Sequence, residues 1–280
     1  VEAPPQTSVA VVPDSISLAP GESASFDVTV NYLSGLLDLW RFGSITWRSD
    51  EHAVYTPLAV RPTSIVAPEE ITSFGGTGSE AFEVEFGYSG AYAPQVHGLA
   101  LPLIVTGFVD NDPNKTFTFR EIDGVTRHII SVPAGQLYAR FALFDLLTDG
   151  DDDLDLYVYY CGLDGTSCTR LGESGEPTSE ERFDVFRPAE GLYAVHVHGF
   201  ETDEVQGGPG SNYQLLAWAF GEADDRGNMS ANGPAFVSAG TTGTVTVEWQ
   251  GLVSNTIYLG GISHNTPQGL SGLTLVTIGN

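Results

Sequence analysis

The sequence predicts an all-β chain built from tandem antiparallel β-sandwich modules. Three observations carry that expectation. Hydrophobic residues make up 41% of the 280 positions, enough to bury real cores. They alternate with polar residues at the period of two that a half-buried strand needs, and helical periodicity is scarce. Turn formers break the runs at short intervals, with 33 glycines and 16 prolines. The clearest alternation lies mid-chain. Leu154, Leu156, Val158 and Tyr160 share one face, and Asp153, Asp155, Tyr157 and Tyr159 the other. Further on, Tyr193, Val195 and Val197 alternate with Ala194, His196 and His198.

Taken in order, residues 1–62 form a first small sandwich. Residues 8–12 are a strand turned by Pro13 and Asp14. Residues 23–30 alternate and offer Ala24, Phe26, Val28 and Val30 to a core. Residues 42–47 and 53–60 complete the module, and Trp40 and Trp47 are expected inside it. Residues 63–107 read as a connecting β segment, in which Phe82, Val84 and Phe86 share a face. Residues 108–222 form the second sandwich, with strands at 128–133, 137–144, 153–160, 179–185, 191–200 and 213–220. Residues 223–280 read as a small C-terminal β unit with strands at 240–249, 256–264 and 273–278. No repeat of fixed period is present.

The formal net charge is −25, from 36 acidic and 11 basic residues, and Lys115 is the single lysine. Such a surface repels nucleic acid and anionic membranes and suits divalent cations or saline surroundings. No apolar run reaches transmembrane length. The two cysteines, Cys161 and Cys168, flank a hairpin tip at Gly162 to Gly165, so a disulfide is expected and with it an oxidising, extracellular compartment. The opening Val1-Glu2-Ala3-Pro4-Pro5 reads as an interdomain linker, and the chain as a piece of a longer secreted protein.

Candidate chemistry concentrates before the central strand. Asp149, Asp151, Asp153 and Asp155 alternate, with Gly150 suited to a sharp turn, and carboxylates so spaced can hold Ca²⁺. The distal glutamate of an EF-hand is missing, so the pattern is not that motif. The plainer reading is a solvated acidic turn. If Asp155 is buried it needs a partner such as Arg182 or backbone N–H groups. Asp110 and Asp112 make a weaker calcium candidate. His196 and His198 project from one strand face, as two zinc ligands would, but no third ligand can be assigned, and hydrogen-bonded histidines fit as well. Tyr157 and Tyr159, with Tyr138 and Trp218, can line a sheet face that docks on polymeric substrate, or can be core. No catalytic residue is expected, because no serine here has a base to activate it.

The run Gly43-Ser44-Ile45-Thr46-Trp47-Arg48-Ser49-Asp50-Glu51-His52-Ala53-Val54-Tyr55-Thr56-Pro57-Leu58-Ala59-Val60 resembles the closing hairpin of the fibronectin-III-like domain that follows the catalytic domain in many subtilisin-like serine proteases. The departures are Tyr55 and Thr56, where that family often has a basic residue and a serine. Residues 88–92 and 96–99 are similar to the segment after that domain. Residues 153–158, 179–182 and 191–199 resemble the bacterial pre-peptidase C-terminal domain, a jelly-roll-like module of secreted peptidases. The catalytic blocks of the family are absent: His97-Gly98 and His198-Gly199 lead into Leu99 and Phe200, and Gly165-Thr166-Ser167 leads into Cys168. The resemblance implies a non-catalytic accessory region, partnered by an upstream catalytic domain and by insoluble protein or polysaccharide. A self-standing cell-surface adhesin or carbohydrate-binding module is the other reading, and an unrecognised hydrolase a third.

Overall fold

The computed structural model describes residues 1–120, 124–149, 151–202 and 210–279. It is all-β, with one short 3-10 turn at Asp145–Leu147 among the described residues. The N-terminal unit holds two hairpins. β1 (Thr7–Val12) pairs with β2 (Asp27–Tyr32), and β3 (Arg41–Arg48) pairs with β4 (Ala53–Val60), both antiparallel. Its interior is thin. Ile45 is buried and Phe26 meets Trp47 edge-on at 5.1 Å, but Phe26 and Val28 are exposed. Trp40, expected in the core, is 60% exposed, because two two-stranded ribbons enclose too little volume to cover it.

The next stretch carries β5 (Ile65–Val66), β6 (Glu70–Phe74), β7 (Gly78–Phe86), β8 (Gly90–Ala91) and β9 (Ala93–Ala100). It then enters an eight-stranded unit: β10 (Leu103–Asp110), β11 (Val125–Val132), β12 (Gln136–Ala142), β13 (Asp153–Tyr160), β14 (Thr169–Ser174), β15 (Arg182–Phe186), β16 (Gly191–Glu201) and β17 (Gly210–Gly221). These eight make two four-stranded sheets, ordered β11-β16-β13-β14 and β10-β17-β12-β15. The chain ends with β18 (Met229–Asn232), β19 (Phe236–Val237), β20 (Thr241–Trp249), β21 (Ile257–Thr266) and β22 (Gly269–Gly279).

Strand pairing departs from a connecting segment followed by a separate C-terminal unit. β7 pairs with β20 over nine register positions, β9 pairs with β21, and β6 runs parallel to β22. Residues 65–100 and 229–279 therefore build one sandwich, of sheets β18-β20-β7-β5 and β6-β22-β21-β9. The eight-stranded unit is inserted between its halves. Sequence alternation reports which face of a strand is buried but not which distant strand lies beside it.

The four large sheets stack. One apolar cluster fills the inserted sandwich, with Phe141, Leu154, Leu156, Val158, Val195, Val197 and Leu215. A second joins the inserted sandwich to the other, through Leu137, Tyr138, Leu216, Trp218, Phe220, Leu259 and Leu275. A third fills the outer sandwich, with Phe82, Val84, Phe86, Val245, Val247, Trp249, Val276 and Ile278. β17 thus serves two cores. Tyr213, Leu215 and Ala217 face one, and Leu216, Trp218 and Phe220 the other. That is why its sequence reads as a nearly continuous apolar run.

Ionic contacts reinforce the junction between the sandwiches. Arg140 on β12 is buried, and its guanidinium donates to both oxygens of Asp184 on β15 (2.7 and 3.1 Å) and both of Glu70 on β6 (2.8 Å each). Arg182 also pairs with Glu70 and Asp184. Burial alone would raise the Glu70 pKa, but the bonds from Arg140 and Thr277 outweigh it and hold Glu70 below its usual value.

Candidate functional site

Of the expected site residues, Asp153, Asp155, Tyr157, Tyr159, His196 and His198 lie on the outer face of the sheet β11-β16-β13-β14. Antiparallel register places Asp155 opposite His198, Tyr157 opposite His196 and Tyr159 opposite Ala194. Side chains alternate across a strand, so these residues share the face turned away from the core. His196 and His198 are nevertheless buried. Residues 111–120 fold over them. Phe117 stacks on Tyr157 (centroids 3.7 Å apart, planes 7° apart), and Phe119 packs against Tyr159 and His196 at 4.7 and 5.1 Å. Tyr157 and Tyr159 are half-buried under this cap, and Arg170 lies over the Tyr157 ring.

A histidine clamp holds the cap down. His198 Nδ1 lies 3.0 Å from Asp155 Oδ2 and Nε2 lies 3.0 Å from Asp112 Oδ2. Both carboxylates are buried. Burial alone would lower the His198 pKa, but the bonds to Asp155 and Asp112 reverse this and leave it raised. A carboxylate faces each ring nitrogen, an arrangement that favours the doubly protonated ring, which can donate to both. Asp112 accepts the backbone N–H groups of Asn114 and Thr116 at 2.9 and 2.8 Å, which fixes the start of the covering segment. The Tyr157 hydroxyl adds a bond to Asp155 at 3.3 Å. The partner of buried Asp155 is therefore His198 rather than Arg182, whose charge is engaged at Glu70 and Asp184. The Asp112 half of the clamp, 86 residues before His198, is invisible in sequence because it depends on a loop crossing the sheet.

The four aspartates of the acidic run go different ways. Asp149 accepts from Asn212 N–H (2.5 Å), Asn212 Nδ2 (2.7 Å) and Ser211 Oγ (3.1 Å), so it caps the start of β17. Asp151 is exposed. Asp153 is half-buried, and burial, with Asp155 and Glu201 nearby, raises its pKa. Asp155 belongs to the clamp. Gly150 lies outside the described residues. No set of three or more His, Cys, Asp or Glu side chains among the described residues is grouped to hold a metal ion. Of the four aspartates, Asp149 is engaged by Asn212 and Asp155 by His198.

A carboxylate that sequence reasoning left without a role, Glu181, is buried beside this run. Its Oε1 accepts the Glu176 N–H at 2.6 Å, and Ser174 lies beside the carboxylate. Burial, with Asp155 and Glu176 nearby, pushes its pKa up to about 7. Cys161 and Cys168 form the expected disulfide.

One pair has the look of a nucleophile and its base. Thr274 Oγ1 lies 2.9 Å from His264 Nε2. Both are fully buried, and Thr274 gives its proton to the Pro68 carbonyl at 2.6 Å. His264 Nε2 must therefore be the donor, while Nδ1 accepts from the Tyr92 hydroxyl at 2.7 Å. The histidine cannot take the threonine's proton, so the chain Tyr92–His264–Thr274–Pro68 ties strands together and carries out no proton abstraction.

Comparison with known proteins agrees with the N-terminal reading. A fibronectin type-III domain model matches residues 1–60. No curated protein matches the chain. Among solved structures, the chain is similar to the M60 catalytic domain with the CBM51-1 and CBM51-2 domains from Clostridium perfringens ZmpB, at 9% identity and a TM-score of 0.23. The match covers 98% of this chain and 36% of that one, and at this TM-score it supports no further reading. Among the described residues no helix is long and apolar enough to cross a membrane.

Proposed function

We propose that this chain is a non-catalytic accessory region of a secreted subtilisin-like serine endopeptidase, and that its stacked sheets stabilise and position a catalytic domain carried elsewhere in the protein. The observation that carries the reading is the use of the buried polar groups. The His198 clamp, the Arg140 cluster and the Tyr92–His264–Thr274 chain each join two or more elements through hydrogen bonds inside the fold. Their reactive atoms point at each other rather than into a cleft, which suits a scaffold. The fibronectin type-III match over residues 1–60 supports an accessory role for the N-terminal module, and the protease context rests on the sequence resemblance of residues 43–60, 153–158, 179–182 and 191–199. The disulfide supports an oxidising compartment.

Two finer points belong to the same proposal. Docking of polymer on Tyr157 and Tyr159 requires residues 111–120 to lift, because Phe117 already occupies the Tyr157 ring face. Bound calcium is a separate proposal, in which Asp151 and Asp153 are the carboxylates left for it. Were it held there, chelation would lower the melting midpoint by mass action.

The test compares the protease with and without this region. Deleting it should shorten the enzyme's half-life at elevated temperature and leave the turnover of a short chromogenic peptide unchanged. The isolated chain should hydrolyse neither peptide nor glycoside substrates. Turnover by the isolated chain would refute the reading.

A further inference from the structure

The two sandwiches do not close against each other along their whole length. Their shared cluster ends where β6 and β10 form the edges of the facing sheets. Beyond it lies an open groove of about 870 Å³. One wall is the face of β6 and β22, where Thr72 is paired with Thr277 and Phe74 with Gly279. The opposite wall is β10 and β17, where Ile104 is paired with Leu216. Leu146, in the 3-10 turn, stands at one end. Facing sheets normally fill the gap between them with interleaved side chains. Here the floor residue Leu216 is buried, while Phe74 is 77% exposed, Leu146 90% and Ile104 49%. A volume of this size, walled mainly by apolar side chains, is that of a ligand site.

Two further features limit what can enter. The first is backbone. Among the described residues, β6 has β22 as its only ladder partner in its sheet, and β10 has only β17. The β6 edge, and the β10 edge before Phe108, whose carbonyl accepts from the Thr126 hydroxyl, leave N–H and C=O groups facing outward, which an extended chain can pair with and a lipid tail cannot. The second is charge. Glu180 lines the groove and is exposed, with Asp145 beside it supplying the backbone N–H that its Oε1 accepts. On a chain of net charge −25 this rim disfavours fatty acids and a second copy of the chain, and attracts a cation.

We infer that this groove binds an extended polypeptide segment of another protein, with bulky apolar side chains set between the sheets and a lysine or arginine at the Glu180 rim. The inference does not depend on the protease context, since it rests on the groove alone.

The probe is a fluorescein-labelled hexapeptide, Lys-Val-Phe-Val-Leu-Lys, titrated with the full chain and followed by anisotropy. Its control is the same peptide with glutamate at both ends. Saturable binding of the lysine peptide is expected, at least tenfold tighter than the control, with the difference shrinking as salt is added. The double variant Phe74→Ser and Leu146→Ser should weaken binding at least tenfold with an unchanged melting midpoint, since both side chains are already in solvent. Glu180→Gln should weaken only the lysine peptide, by about threefold to tenfold. Absence of saturable binding, or equal binding to the Ser/Ser variant, would overturn the inference. So would displacement of the peptide by dodecanoate, which would make the groove a lipid site. A dimer in sedimentation that the Ser/Ser change dissociates would give the groove to a second copy and overturn it too.

Discussion

Replacing Arg140 with methionine removes the ionic tie between the two sandwiches and keeps most of the side-chain volume. Arg140 is 5% exposed at its side chain and makes four charge-assisted hydrogen bonds, two to Asp184 on its own sheet and two to Glu70 on the facing one. Breaking a buried pair by deleting one partner costs about 3–5 kcal/mol, because it strands the remaining charges. Two facts place this case at the lower end. Glu70 and Asp184 keep 17% and 27% of their side-chain surface in water, and Arg182 still pairs with both. The expected loss is therefore about 3 kcal/mol at pH 7, or roughly 6–12 °C in melting midpoint for a unit of this size. Urea unfolding of wild type and Arg140→Met, monitored by tryptophan fluorescence, measures it. Trp218 lies in the interface cluster and reports the junction directly. Adding Glu70→Gln to the variant should recover part of the loss, since it removes a stranded charge. A loss below about 1 kcal/mol would show that Arg182 alone suffices and would refute the reasoning.

Two buried groups should imprint opposite pH dependences. His264 is held neutral, its pKa lowered to about 4 by burial. Its contribution is present above its unfolded pKa of about 6.5 and is lost as pH falls toward 4. Urea unfolding should show up to about 3 kcal/mol of stability disappearing across that window through this residue, and His264→Gln should flatten the slope. NMR titration of the ring near 6.5 would contradict this. Glu181 behaves the other way. Its raised pKa of about 7 favours the protonated form, so its penalty is absent below about 4.5 and complete above 7. Glu181→Gln should stabilise the chain by up to about 3 kcal/mol at pH 8 and change little at pH 4, and a destabilised variant at pH 8 would instead point to a cation on this carboxylate. Reducing the Cys161–Cys168 bond, which closes a loop of seven positions, should cost about 2 kcal/mol by loop entropy, measured as a shift in the urea midpoint with reductant.

The strands were legible because half-buried strands alternate. The faces of Leu154, Leu156 and Val158, and of Phe82, Val84 and Phe86, are buried where their sequence placed them. The disulfide was legible from its spacing. What was not legible depends on chain-distant neighbours. The parallel pairing of β6 with β22 joins Glu70 to Leu275, and nothing local to either announces it. The histidines of β16 look like a surface face in sequence, because the segment that covers them lies some eighty residues earlier. The run from Asp149 to Asp155 suggested one site, yet its carboxylates are drawn to separate partners, Asn212 and His198, by loops that sequence cannot position. Trp40 failed as a core residue for the reverse reason, since an apolar residue is buried only where enough partners exist to enclose it.

Scanning calorimetry of the intact chain, with and without Arg140→Met, bears most directly on whether the stacked sheets act as one rigid scaffold. Residues 65–279 should melt in a single transition in the wild type, with calorimetric and van't Hoff enthalpies in agreement, and the variant should lower that transition or split it in two. Two independent transitions in the wild type, one for each sandwich and neither moved by the loss of Arg140, would contradict a continuous stack.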